Sequence, residues 1–185
     1  ALMNEKAKSI GCKNTYFITP NGLDATEGEK FHSTTAEDLS KIMSYCILHS
    51  PKKDKFLEIC NTLQYSFTEY KLSEGVFVKG GRSYSCSNKN SFLSMMEGVL
   101  AGKTGFTNQA GYCYVAALEN SGRTFVVSLL ACGWPNNKNF KWSDTKKLFQ
   151  YGIENFHYEN IITQVELPLV QVLGGVPYGL QEVPV

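Results

Sequence analysis

The chain has 185 residues, enough for one domain and a short addition, and its formal net charge of +1 argues against a nucleic-acid partner bound by bulk charge. With 43% hydrophobic and 19% charged residues, the composition is typical of a globular domain, and no apolar run is long enough to span a bilayer. No basic start precedes an apolar core, so any export signal is expected to lie outside these residues.

The first predicted element is a helix over residues 1–10, which Gly11 ends. Its apolar positions share one side, at Leu2, Met3, Ala7 and Ile10. Residues 12–31 are predicted to form a loop with a turn at Pro20-Asn21-Gly22, because proline and glycine are favoured in turns.

A second helix is predicted after Ser33-Thr34-Thr35, which offer N-cap hydroxyls, with Glu37 and Asp38 placed to complete a capping box. Its apolar positions follow helical spacing, at Leu39, Ile42, Met43, Cys46 and Ile47. Ser50-Pro51 is predicted to start another short helix, since proline is favoured at the first helical position.

Strands are predicted next, because apolar and polar residues alternate. Leu63, Tyr65 and Phe67 indicate a half-buried strand, and Val76 to Val78 indicate a second, short one. Residues 98–133 then contain two apolar runs joined by the hairpin signal Ser121-Gly122. This pattern predicts an antiparallel meander.

The C-terminal part begins with a loop at residues 134–137, after which Ser143 is predicted to cap an amphipathic helix. The apolar positions of that helix are Leu148, Phe149, Ile153 and Phe156. From Ile161 onwards the sequence is rich in Val, Pro and Gly and has no helical period.

The six cysteines show no C-x-x-C spacing, which argues against a zinc site, and buried free thiols are expected. Within the meander Cys113 should face Leu130 and Cys132 should face Gly111, so the two thiols are out of register for a bridge. The three histidines are isolated, so neither a metal site nor a histidine-based triad is predicted.

The meander carries Lys103-Thr104-Gly105 on, or at the mouth of, its first strand, between Gly102 and Ala110-Gly111-Tyr112. K-T-G is one of three motifs of penicillin-interacting serine enzymes. The segment resembles the third-motif region of D-alanyl-D-alanine carboxypeptidases, the low-molecular-mass penicillin-binding proteins. Further similar segments occur in the family's order over about residues 1–160, namely Asn14–Phe17 with Pro20–Asp24, His32–Leu39 and Asn88–Asn90.

The resemblance implies an α/β (α+β) fold, with an antiparallel sheet and helices on both faces, as in serine β-lactamases and penicillin-binding proteins. Residues 1–160 would be the C-terminal portion of the catalytic domain. Residues 161–185 would be a linker and the start of a truncated, small β-rich domain.

The implied activity is a serine-type carboxypeptidase that removes the terminal D-Ala from peptidoglycan stem peptides through an acyl-serine intermediate. β-Lactam antibiotics would be acylating inhibitors, and no cofactor or metal is implied. The implied location is the extracytoplasmic face of the bacterial cell membrane or the cell wall, with roles in peptidoglycan biosynthesis and cell shape.

The site residues follow from the chemistry of a substrate that ends in a carboxylate. Lys103 would supply a cation and Thr104 a hydroxyl, and the strand would hold the peptide extended. The resemblance implies that the backbone amide of Phe106 completes an oxyanion hole. The resemblance adds further residues to the substrate groove, namely Gly105, Thr107 and Lys89, with Lys141 as a weaker candidate.

Two of the family's three motifs are missing, since no S-x-N occurs and both S-x-x-K strings, at Ser50 and Ser143, are interpreted as helix caps. The nucleophile and its lysine base would therefore lie outside these residues. The chain alone is expected to be inactive and to pack against the missing N-terminal part of its domain. The alternatives are a serine β-lactamase, or a non-catalytic fragment or binding module.

Overall fold

The computed structural model of the protein describes residues 1–162, 169–171 and 182–184. The chain divides into two compact units, Ala1–Asn155 and Phe156–Val185. The first unit combines helices with antiparallel strands, which confirms the predicted α+β class.

The N-terminal region opens with helix α1 (Leu2–Ser9), and Gly11 follows it at φ +83°, a backbone conformation that glycine adopts without strain. The expected loop after it contains a short hairpin of β1 (Thr26–Glu27) and β2 (Lys30–Phe31). Two-residue strands carry too few alternating positions to be visible in the sequence.

Helix α2 (Ala36–Ser44) begins as predicted, because Thr35 Oγ1 accepts a hydrogen bond from the Asp38 amide at 3.1 Å. The other half of the predicted capping box is wrong. The buried Asp38 carboxylate turns away from the cap and accepts bonds from the loop before it. Its donors are the Lys13 amide at 3.1 Å, the Asn14 amide at 2.7 Å and the Thr15 hydroxyl at 2.8 Å.

A π-helical turn (Tyr45–His49) extends α2, and α3 (Lys53–Asn61) follows. Ser50 is not the N-cap of α3, because it lies two residues before the N-cap, Lys52, and its hydroxyl accepts from the Lys52 amide. Ser143 is not an N-cap either, because it lies inside helix α4 (Phe140–Asn155) and donates back to the Phe140 carbonyl at 3.0 Å. Both cap predictions are therefore wrong.

A long hairpin joins β3 (Gln64–Ser73) to β4 (Val76–Ser87), with a register shift between Thr68 and Tyr70. The strands occur where they were predicted, but the prediction of a half-buried face is wrong. The predicted positions Leu63, Tyr65 and Phe67 are 67%, 63% and 45% exposed. Leu72 and Phe77, which pair across the strands, are 66% and 72% exposed.

The central sheet consists of β5 (Val99–Thr107), β6 (Gly111–Asn120) and β7 (Arg123–Leu129), in that spatial order and fully antiparallel. This is the predicted meander. Helix α4 packs on one face, where the buried core comprises Phe92, Tyr114, Ala116, Leu118, Val127 and Phe149. Helices α2 and α3 cover the other face, where the core comprises Met43, Ile47, Ala101, Val115 and Ala117.

The second unit contains strands β8 (Leu169–Gln171) and β9 (Glu182–Pro184), which pair antiparallel. The rest of the β-rich segment predicted for residues 161–185 lies largely outside the described residues. Among the helices of the described part, none has the length and apolarity to cross a membrane.

Candidate active site

The Lys103-Thr104-Gly105 motif lies on β5, the first strand of the central sheet. Because side chains alternate along a strand, its residues divide between the two faces. Lys103 and Gly105 pair with Val115 and Cys113 and lie on the face covered by α2 and α3. Thr104 pairs with Tyr114 and lies on the α4 face.

The backbone of β5 has a free edge, and the orientation of its amides follows from β6. Tyr112 donates its amide to the Gly133 carbonyl at 2.9 Å and accepts from the Cys132 amide at 2.7 Å, so both its main-chain groups face away from β5. Its partner Phe106 must therefore turn its own N–H and C=O outward. Because main-chain groups alternate in direction along a strand, the N–H and C=O of Thr104, two residues before Phe106, also point outward. Among the described strands, none pairs with this edge.

The side chains at this edge leave an open surface. Lys103 is exposed, and its ammonium donates a hydrogen bond to the Thr104 carbonyl. At Gly105 an added Cβ would meet no atom within 4 Å. A fixed cation, a hydroxyl and two outward amides thus surround unoccupied space along one strand edge.

Thr107 joins the end of β5 to a distant loop. Its hydroxyl donates to Asp24 Oδ1 at 2.8 Å and accepts from the Ala110 amide at 3.0 Å. Asp24 belongs to the Pro20–Asp24 segment, so this bond fixes that loop beside the β5–β6 turn. The Thr107 hydroxyl is consequently engaged within the protein.

An aromatic contact supports Phe106 from the α4 face. The Phe106 and Tyr112 rings lie 4.5 Å apart, and the Lys141 ammonium lies 4.3 Å from the Tyr112 ring centroid. Lys141 is 6% exposed, and its burial lowers the pKa of its ammonium. Lys141, the weaker candidate for the substrate groove, is therefore buried against the Tyr112 ring.

Lys89 is exposed between two anchored asparagines. Asn88 donates to the carbonyls of Cys60 and Thr62, both at 3.0 Å, and its Oδ1 accepts from the Asn90 amide at 2.9 Å. The backbone on both sides of Lys89 is thus fixed. Within the described part of the chain its ammonium has no hydrogen bond or ion pair.

The residues beneath Gly102 were not identified from the sequence. Tyr114 donates its hydroxyl to Asn90 Oδ1 at 2.6 Å, and both side chains are buried under β5. Gly102 itself was a usable signal, because glycine inside a strand often marks a close approach by another group. Its approaching group is a side chain of the neighbouring strand.

The other reactive groups do not assemble into a second site. In the described residues, neither the Ser50 nor the Ser143 hydroxyl has a hydrogen bond to the ammonium of the lysine in its S-x-x-K string. His32 accepts from the Ile18 and Thr19 amides through Nδ1 and serves as a loop support. All six cysteines, which lie in the described range, carry free thiols, but the expected burial is wrong, since Cys86 is exposed and the other five are half-buried. No His, Cys, Asp or Glu cluster of metal-binding size occurs among these residues.

Comparison with known proteins shows the family of the chain. A family model described as D-alanyl-D-alanine carboxypeptidase matches residues 1–131. The chain belongs to this family of serine-type penicillin-binding proteins. The match favours the predicted carboxypeptidase family over the alternatives of a β-lactamase or a binding module.

Individual relatives extend the likeness. The D-alanyl-D-alanine carboxypeptidase DacA of Haemophilus influenzae is 30% identical over 83% of this chain and 34% of its own length. The crystal structure of a Mycobacterium tuberculosis D-alanyl-D-alanine carboxypeptidase gives a TM-score of 0.65 at 26% identity, covering 83% of this chain and 52% of that one. The ampicillin-bound penicillin-binding protein D2 of Listeria monocytogenes gives 0.61 at 27% identity, covering 82% and 54%.

The chain spans about a third of the Haemophilus relative and about half of each of the two solved structures. Over that part, the TM-scores indicate that the antiparallel sheet with helices on both faces is shared with these two solved structures.

Proposed function

We propose that this chain supplies the substrate-binding strand of a serine-type D-alanyl-D-alanine carboxypeptidase. The enzyme removes the terminal D-Ala from peptidoglycan stem peptides through an acyl-serine intermediate. The observation that carries the proposal is the free edge of β5, where the backbones of Thr104 and Phe106 face outward beside Lys103.

Each site residue has a distinct role in this reaction. An extended peptide pairs with the outward backbone groups of β5, as a strand added to a sheet edge does. Its terminal carboxylate binds the Thr104 hydroxyl and the Lys103 ammonium. The Phe106 amide stabilises the developing oxyanion, and one such donor is typically worth about 10²–10³ in rate.

The remaining residues shape the groove. Gly105 leaves room for the substrate backbone, because nothing occupies the space that a side chain would fill. Lys89 presents its cation from the anchored Asn88–Asn90 segment. Thr107 acts by positioning, since its bond to Asp24 fixes the loop at the end of the strand.

The proposal also covers the parts that this chain does not supply. The serine nucleophile and its lysine base belong to an N-terminal part of the same domain, against which residues 1–160 pack. Residues 161–185 are the linker and the start of a β-rich domain. The bound ampicillin of the Listeria relative supports β-lactams as acylating inhibitors, and the family supports a location outside the cytoplasm, at the membrane or cell wall.

The test is acylation by fluorescent penicillin and turnover of a D-Ala-D-Ala peptide, measured on a protein that joins these residues to an S-x-x-K segment. Lys103→Ala should lose both activities, because truncating one partner of a desolvated charge pair typically costs about 2–5 kcal/mol. Lys55→Ala, an exposed lysine of α3 paired with Glu58, is the matched control and should behave as the parent does.

Two outcomes would contradict the proposal. Acylation of Lys103→Ala at the parent rate would remove Lys103 from the site. Covalent labelling of residues 1–185 alone would place the nucleophile within this chain, with Ser50 and Ser143 as its candidates.

A further inference from the structure

Strand β5 rests on two side chains immediately before the Lys103-Thr104-Gly105 motif. A Cβ at Gly102 would lie 2.5 Å from Tyr114 Oη and 2.7 Å from Asn90 Nδ2, distances that atoms do not adopt without displacement. The absence of a side chain at Gly102 thus lets the strand backbone lie directly on the Asn90–Tyr114 pair. The height of the strand above the α4 face is fixed at this residue.

The Asn90–Tyr114 pair is rigid. Tyr114 is fully buried, Asn90 is 7% exposed, and their hydrogen bond measures 2.6 Å. Burial raises the pKa of the Tyr114 hydroxyl well above its ordinary range, so the group stays protonated and remains the donor. Asn90 Nδ2 is buried and has no hydrogen-bond partner in the described residues. An unpaired buried donor is unfavourable for stability, which argues that the pair is kept for its geometry.

The edge of β5 is held at the same level. Asn61 Nδ2, at the end of α3, donates to the Leu100 carbonyl at 2.6 Å. Asn88 in turn fixes the Cys60 carbonyl at 3.0 Å. Beyond Gly102, within the described residues, the outward amides of Thr104 and Phe106 have no hydrogen-bond partner, and the Thr104 carbonyl accepts only from the Lys103 ammonium.

We propose that Asn90 and Tyr114 are positioning residues for the carboxypeptidase site, acting through Gly102. They do not touch the substrate. They set the height of β5 so that the Thr104 hydroxyl and the Phe106 amide meet the substrate carboxylate and the oxyanion together. This inference rests on the function proposed above and adds two residues to its machinery.

The experiment uses the complete protein with its S-x-x-K segment and measures both the rate and the final amplitude of labelling by fluorescent penicillin. Gly102→Ala should lift β5 from the pair and slow acylation by about 10²-fold, the loss expected of a misplacement near 1 Å. The amplitude, which counts folded sites, should stay near that of the parent. Gly81→Ala is the matched control, because a Cβ there meets nothing within 4 Å.

A second variant tests the contact itself. Tyr114→Phe removes the hydroxyl that the new methyl group would strike, and it releases Asn90 to turn its amide aside. Combined with Gly102→Ala, it should recover between about twofold and about 100-fold of the lost rate, the range of coupling between residues in contact. A double variant no faster than Gly102→Ala alone would overturn the inference.

The remaining outcomes separate the two proposals. A lower amplitude at the parent rate in Gly102→Ala would mean that the pair only stabilises the fold, and the positioning role would be wrong.

A parent protein that takes up no label would refute the proposed function instead. The positioning of β5 is then judged by amide hydrogen exchange, which in Gly102→Ala should accelerate at Lys103 and Gly105 and stay unchanged in β7. Unchanged amide exchange at Lys103 and Gly105 would overturn the inference that Asn90 and Tyr114 position β5.

Discussion

The central sheet and the β3–β4 hairpin are both antiparallel, but their strands lie in opposite environments. Strands β6 and β7 carry nearly continuous apolar runs, whereas β3 alternates apolar with polar residues. In the sheet Tyr114 and Leu118 are fully buried, whereas in the hairpin Leu72 and Phe77 are mostly exposed. A continuous apolar run is typical of a strand covered on both faces, whereas alternation indicates a strand without indicating what covers it.

The difference lies in the helices. Helix α4 covers one face of the sheet and α2 and α3 cover the other, whereas the described residues place no helix on the hairpin. The hairpin is instead supported by its own side chains, as in the ring pair of Phe67 and Tyr84 at 5.2 Å. A sheet of three strands between helices can stabilise a site at its edge, and an isolated hairpin cannot do so to the same extent.

The largest expected effect is a direct test of this contrast. Phe149→Ala empties a fully buried position of α4 against the sheet and should lower the free energy of unfolding by about 3–5 kcal/mol. Phe77→Ala makes the same change on the hairpin, where 72% of the side chain is exposed, and should change it by less than about 0.5 kcal/mol. Urea unfolding measures both, and equal losses would show that the hairpin is covered in solution.

A smaller effect, dependent on pH, should appear on the α2 side of the sheet. Burial of Asp38 favours its neutral form, but hydrogen bonds from Asn14, Thr15 and Lys13, aided by the Lys41 cation, prevail and lower the pKa of its carboxyl. Because the folded pKa lies below the unfolded one, this stabilisation is complete above the ordinary carboxyl pKa of about 3.9 and is lost as the pH falls through the lowered value.

Thermal unfolding from pH 7 downward should therefore show a loss of stability in acid that Asp38→Asn largely lacks, since the variant has no carboxylate to protonate. At pH 7 the same variant should be less stable than the parent. Parallel acid profiles for the two proteins would contradict the assignment of this loss to Asp38.

The smallest effect is expected in the hairpin. Arg82 pairs with Glu69 across the strands at 2.9 Å, but 71% of the Arg82 side chain is exposed and the pair is screened by water. Arg82→Ala should cost less than about 1 kcal/mol, and less still in high salt. A loss that persists at high salt would indicate that Arg82 contributes packing as well as charge.

The sequence predicted what depends on local pattern. The motif on the first strand, the turn at Ser121-Gly122 and the cap at Thr35 all follow from neighbouring residues. The predicted register between β6 and β7 also agrees with the structure. Tyr114 pairs with Leu129, and the predicted facing of Cys113 and Leu130 is the next position in the same register.

The predictions that failed depend on contacts that no local pattern contains. Cys132 was expected to face Gly111, but its amide bonds to Tyr112 because Ala131, at φ +51°, breaks the regular strand. Asp24 and Thr107 meet across 83 positions of the chain, and no short-range signal connects them. The membership of the site and the roles of its residues came from the resemblance, and those roles are still predictions.

The free edge of β5 also bears on how copies of this protein behave in concentrated solution. An unpaired strand edge is a template for strands of other molecules as well as for a substrate. Lys103 places a positive charge over the Thr104 carbonyl at this edge, and a charged side chain there discourages an identical edge from pairing with it. The lysine proposed to bind the substrate carboxylate would thus also keep the sheets of neighbouring molecules apart.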